Sequence, residues 1–148
     1  MNFLKVVLSF GMVALFLPAC GGSVEGDYPT TIEEEDTTPP KFLEGDPPEG
    51  IVTHVCAVTA AFDDPIEASS VTPQSFIIYD NDEEAQLAAN AGTWEISPSS
   101  STIALFTPSI NLVGSYTVTV TTGITNTAGL NLAEPHSWTF TTSLPCPP

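Results

Sequence analysis

Basic side chains are almost missing from this sequence. Among 148 residues only Lys5 and Lys41 are basic, against 18 Asp and Glu, for a formal charge of −16 at pH 7. Phosphate contacts need Lys or Arg, so a nucleic-acid partner is not expected. Anionic lipid would repel such a chain, and self-repulsion favours a soluble monomer. Histidine is equally scarce: His54 and His136 stand apart, and no Gly-x-Ser-x-Gly elbow occurs. The grouping of nucleophile, base and carboxylate that hydrolysis needs is therefore not legible, and we expect neither an enzyme nor a cofactor. Cysteine is limited to Cys20, Cys56 and Cys146. A bilayer-spanning helix takes about 20 apolar residues, and no run here reaches that length.

The longest apolar run, Val6–Leu17, follows Lys5 and ends in "LFLPACGGS". A basic residue, an apolar stretch and then small residues make up a removable targeting segment. Leu17-Pro18-Ala19-Cys20 resembles the lipobox of bacterial lipoproteins, with proline at the middle position as a departure. The resemblance implies a signal peptide over residues 1–19, diacylglycerol on the Cys20 thiol and acylation of its freed amine. Two or more chains anchor a protein firmly, at about 0.8 kcal/mol per buried methylene. By the same resemblance, Gly21 and Gly22 in place of an aspartate imply outer-membrane sorting if the source is a two-membrane bacterium. The expected localisation is the cell envelope, lipid-anchored, on the periplasmic or the surface face. Loss of Lys5 takes the charge from −16 to −17 and leaves Lys41 as the last basic residue. The alternative is an ordinary secretory signal with an incidental cysteine.

Residues 20–37 form the next unit, the lipidated cysteine and a linker rich in Gly, Thr, Pro and acid, including Glu33-Glu34-Glu35-Asp36. No apolar period runs through it, so it reads as a solvated tether. Such a tether spans about 25 Å as a loose coil and about 60 Å when stretched. A surface-export cue is a second reading of the acidic run, and a plain spacer is the simpler one.

From residue 38 to 148 the pattern turns to period two. "VCAVTAAF" (55–62) places Cys56, Val58, Ala60 and Phe62 on one face, and "SFIIY" (75–79) is a short apolar strand. "TWEI" (93–96) aligns Trp94 with Ile96, and "TIALF" (102–106) is apolar on both sides. "YTVTVTT" (116–122) alternates Tyr116, Val118 and Val120 with threonines, and "SWTFTT" (137–142) joins Trp138 to Phe140. Turn-forming clusters separate these runs, which points to an antiparallel sandwich or barrel. The inward set is Val58, Phe62, Phe76, Ile78, Trp94, Phe106, Tyr116, Val118, Val120, Trp138 and Phe140. Short helical turns are expected within 83–91 and around Pro65–Ser70.

The ordered series Thr38–Pro40, Gly50, Phe62–Pro65, Phe76, Thr107-Pro108, Leu112–Val120, Asn126–Leu132 and Trp138–Thr142 resembles the bacterial Ig-like domain of the SbsA S-layer type. The resemblance covers residues 36–142 and implies an Ig-like antiparallel β-sandwich of about seven strands. Asp63-Asp64 and Leu130 depart from the family's usual residues. Gly129 is expected at positive φ in the turn before the last strand. Tyr116 is expected to hydrogen-bond back to a loop, as corner tyrosines do. If Cys20 carries lipid, Cys56 and Cys146 remain as a pair in an oxidising compartment. In an Ig-like path both fall at one end of the sandwich, so a bridge closing a loop of about 90 residues is reasonable. The alternative is a reduced pair too far apart to join.

Three clusters bear on binding. Asp80, Asp82 and Glu84 alternate like the opening of a calcium loop, but Ala85 and Ala91 replace the glycine and the bidentate glutamate that such a loop needs. Asp63, Asp64 and Glu67 form a second acidic turn; solvated loops are the plainer reading of both, and no metal site is assigned. Trp94 and Trp138 are candidates for a sugar-stacking platform, although their strand parity favours the core. The functional expectation is a non-enzymatic, lipid-anchored envelope protein, acting as a spacer or in structural or adhesive contact with a protein or glycan. The alternative is a carbohydrate-binding module on the cell surface.

Overall fold

The structure is a computed structural model that describes residues 35–148. Alternating β-branched and aromatic residues form nine strands among them: β1 Phe42–Asp46, β2 Gly50–His54, β3 Val58–Phe62, β4 Phe76–Asp80, β5 Ala85–Gln86, β6 Gly92–Ile96, β7 Ile103–Pro108, β8 Gly114–Val120 and β9 His136–Leu144. One sheet has the order β1-β3-β7-β6 and the other β2-β9-β8-β4-β5. Facing sheets with alternating inward side chains make an Ig-like sandwich. Two 3₁₀ turns, Ala68–Ser70 and Ala89–Ala91, fall inside the stretches expected to contain a helical turn.

The inward set packs as the alternation predicts. Val58, Phe76, Ile78, Phe106, Val118, Val120 and Phe140 have no exposed surface, and Phe62, Tyr116 and Trp138 are buried beside them. Trp94 is only partly buried and packs against this core from the edge strand β6. Cys56 departs from the expectation: β3 begins at Val58, and Cys56 lies exposed in the preceding turn. Outward residues of β8 and β9 pair their hydroxyls, Thr117 with Thr139 at 3.0 Å and Thr119 with Ser137 at 2.7 Å.

Three strands have no counterpart in the alternation, and one of them is β1, in which Phe42 and Gly45 are partly buried and the other three residues exposed. The two-residue β5 extends the sheet beside β4. β2 crosses to the second sheet and runs parallel to β9, from Gly50 opposite Phe140 to His54 opposite Leu144. Its residues are mostly exposed, Ile51 at 87%, so no buried period marks it in the sequence. The other named pairs of these two sheets are antiparallel.

Candidate functional site

The described chain is fastened at both ends of the sandwich, and these fastenings are its most distinctive chemistry. At the N-terminal end Asn126 is fully buried. Its amide nitrogen donates to Asp64 Oδ2 at 2.7 Å and Asp36 Oδ2 at 2.9 Å, and lies 3.2 Å from the Thr38 carbonyl. Its side-chain oxygen accepts from the Leu130 N–H at 2.8 Å. The turn that holds it is tight: Asn126 and Leu130 bond through their backbones, and Gly129 takes φ 83°, as expected. Asp63 Oδ1 accepts from the Lys41 N–H at 2.7 Å, and Asp63 N–H donates to the Lys41 carbonyl at 3.1 Å. The segment leading into β1 is thus tied to the β3 end and to the loop before β9. Asp36, Thr38, Pro39, Asp63 and Asp64 line an oxygen-rich cleft there of about 220 Å³.

At the opposite end Cys56 and Cys146 form a disulfide, with Cα atoms 5.1 Å apart and a sequence separation of 90. Cys56 precedes β3 and Cys146 follows β9, so the bridge joins one sheet to the other. That the ends are opposite follows from the register. Phe42, at the start of β1, stacks on His136, at the start of β9, with centroids 4.0 Å apart. Leu144, at the far end of β9, pairs with His54 beside the disulfide. β9 runs nine residues, about 30 Å at the usual rise per residue.

The remaining candidates sit as follows. In the β4–β5 hairpin Asp80 Oδ1 accepts from the Asp82 and Glu83 N–H groups, and Asp82 Oδ2 accepts from the Ser115 N–H at 3.0 Å. Glu84 sits at the turn with φ 53°. These oxygens close a turn and tie it to β8. Among the described residues no group of three or more His, Cys, Asp or Glu is arranged to hold a metal ion. Tyr116 is buried beside this hairpin, and its hydroxyl donates to the Val113 carbonyl at 3.3 Å, the loop contact expected of it. Burial first, and then the Asp80 carboxylate, push its pKa above the usual 10.0. The Trp138 indole N–H donates to the Pro47 carbonyl at 3.0 Å and the residue is 7% exposed. The Trp94 N–H donates to the Phe76 carbonyl at 2.8 Å, with its ring tilted against Phe106 at 4.4 Å. A shallow groove of about 240 Å³ lies between Lys41, Phe42, Glu134 and His136. Cys20 lies outside the described residues.

Sequence reasoning treats Asn126 only as part of a turn. Its burial comes from Asp36 and Asp64, which are 90 and 62 residues away in sequence. The single readable signal is an Asn-Thr-Ala-Gly turn preceding the last strand.

Comparison with known proteins places this architecture. The S-layer protein rSbsC(31-844) is 24% identical, with a TM-score of 0.51 over 74% of this chain and 14% of its own. The N-terminal part of SbsC is 25% identical, with a TM-score of 0.52 over 74% of this chain and 24% of its own. The present chain therefore spans less than a quarter of either structure. CopC from Methylosinus trichosporium OB3b shares the fold at 16% identity, with a TM-score of 0.53 over 70% of this chain and 93% of that one. No curated protein matches the chain. The family described as "Bacterial Ig-like domain" matches residues 36–142, the span from Asp36 of the Asn126 tie to Thr142 within β9, and the chain belongs to that family.

Proposed function

We propose that this chain is a non-enzymatic, lipid-anchored protein of the cell envelope. Its Ig-like domain is held off the membrane by the acidic tether and acts as a spacer in structural or adhesive contacts. The lipid on Cys20 is the anchor, and the outer membrane is its destination. The observation that supports a spacer best is the path of the chain: it comes in at one end of the sandwich, leaves at the other, and is fastened at each. Membership of the bacterial Ig-like family supports a surface or envelope setting, and Ig-like sandwiches are typically binding or structural modules.

The test is chemical. Cells fed a labelled fatty acid should incorporate it into the wild-type chain and not into Cys20→Ser, and the variant should leave the membrane fraction. A native chain whose mass shows an unmodified Cys20 would refute the anchor.

A further inference from the structure

The disulfide has a mechanical consequence that follows from topology. A pull between the tether and the tail at Pro148 travels from residue 36 to Cys56, crosses the bridge to Cys146 and leaves. Residues 57–145 are off this path. We propose that the bridge divides the domain into a strap that yields to axial tension, residues 36–55, and a body, residues 57–145, that tension bypasses.

The division falls where the fold tolerates it. The strap holds β1 and β2, and each is the outermost strand of its sheet. Peeling both leaves β3-β7-β6 facing β9-β8-β4-β5, a sandwich that still has two sheets. Of the buried core cluster only Val55 lies in the strap; the others run from Val58 to Phe140. Phe42 and Val52 pack on that cluster partly buried, and Pro40 and Pro47 are the strap's other buried residues. β2 adds little apolar burial, with Ile51 at 87% exposure. The first contacts to carry load are the Asn126 bonds to Asp36 and Thr38. Few buried apolar contacts mark segments that open sub-globally. The bridge spans the ends of β3 and β9, the strands that become edges once the strap is gone. The domain would therefore extend by a short, limited length and stop, with its core still assembled.

From the spacer reading this takes only that load enters along the tether and leaves through the tail after Cys146. It is tested on a chain that cannot be anchored, so failure of the anchor and failure of the strap are separable. The full chain carrying Cys20→Ser is stretched between handles at its two ends, first oxidised and then with the bridge reduced in place. The oxidised strap should release about 45 Å, and the reduced domain about 370 Å, an eightfold difference at the usual reach per residue. A release near 370 Å under oxidising conditions would overturn the proposal. So would an oxidised domain that stays shut at forces that fully open the reduced one. Hydrogen exchange of the oxidised chain gives an independent reading: β1 and β2 amides should exchange through an opening that leaves β7 and β8 protected. Exchange of all four strands as one unit would refute the strap.

Discussion

Asn126 uses both ends of its side-chain amide, donating to two carboxylates and accepting from Leu130, with no exposed surface. A buried polar group that loses its partners costs about 1–3 kcal/mol, and bonds to charged groups sit at the upper end. We expect Asn126→Ala to destabilise the domain by about 2–3 kcal/mol in urea. Asn126→Asp should be worse at neutral pH, because it sets a third carboxylate against Asp36 and Asp64. Equal stability of the three proteins would show that the tie is ornamental. Tyr116 makes the second residue-scale prediction. Its raised pKa means that the folded state holds the phenolic proton to higher pH than the unfolded chain does. The unfolded chain then binds fewer protons, so this contribution is full below pH 10 and fades as pH rises through the folded value. Tyr116→Phe should flatten the alkaline loss of stability, measured as denaturation midpoint against pH from 8 upward. Asn126 draws on distant carboxylates and Tyr116 on the nearby Val113 carbonyl as well as the distant Asp80, and only the second role is legible in the sequence. Tyr116 lies near the start of a strongly alternating strand, a position that carries a loop bond in Ig-like sandwiches. Asn126 sits among turn residues, where burial has no periodic signature.

At the scale of elements, legibility follows burial period. β3, β4, β8 and β9 alternate because one face meets the core, and their expected bounds lie close to the observed ones except at the start of β3, which opens at Val58 and not at Val55. β2 escapes because its exposed Ile51 and Thr53 flank a single partly buried Val52. Its parallel pairing with β9 is a tertiary choice that no local pattern encodes. The disulfide is legible as arithmetic, two cysteines left once Cys20 is set aside, and its place past the ends of β3 and β9 agrees with that pairing. Closing 90 residues stabilises the fold by about 4–5 kcal/mol on the chain-entropy account. Reduction, or Cys146→Ser, should lower the urea midpoint by a matching amount with little change in far-UV circular dichroism below the transition. A loss under about 1 kcal/mol would mean that the bridge constrains little in the unfolded chain. The meeting of β1 with β9 makes a sharper test. A Cβ on Gly45 would collide with Cε2 and Cζ2 of Trp138, and that ring is held in place by its bond to the Pro47 carbonyl. Gly45→Ala should cost about 1–3 kcal/mol, as overpacking does, and should shift the Trp138 emission. An unchanged midpoint would show that the ring can swing aside.

Across the whole molecule, charge dominates. A formal −16 on 148 residues repels itself in any compact state, and the repulsion is long-range enough to be screened. Raising NaCl from about 10 mM to about 150 mM shortens the Debye length from about 30 Å to about 8 Å. We therefore expect the thermal midpoint to climb over that range and then level off. Calcium and magnesium at matched ionic strength provide the discriminating comparison. Screening of a diffuse field treats the two cations alike, whereas oxygen ligands at a formed site would favour calcium's larger, more flexible shell. In the hairpin Asp80 and Asp82 already accept backbone N–H groups, and at the N-terminal end Asp36 and Asp64 already accept from Asn126. Coordination would have to break these bonds, so the two cations should give equal midpoints. A calcium-specific rise of several degrees, abolished by Asp82→Asn or by Asp64→Asn, would instead assign a site to whichever cluster the substitution silences. The same charge keeps copies apart at neutral pH, and light scattering should report a monomer there. Association should appear only as the pH falls toward about 4.1, where the sequence's formal charges balance.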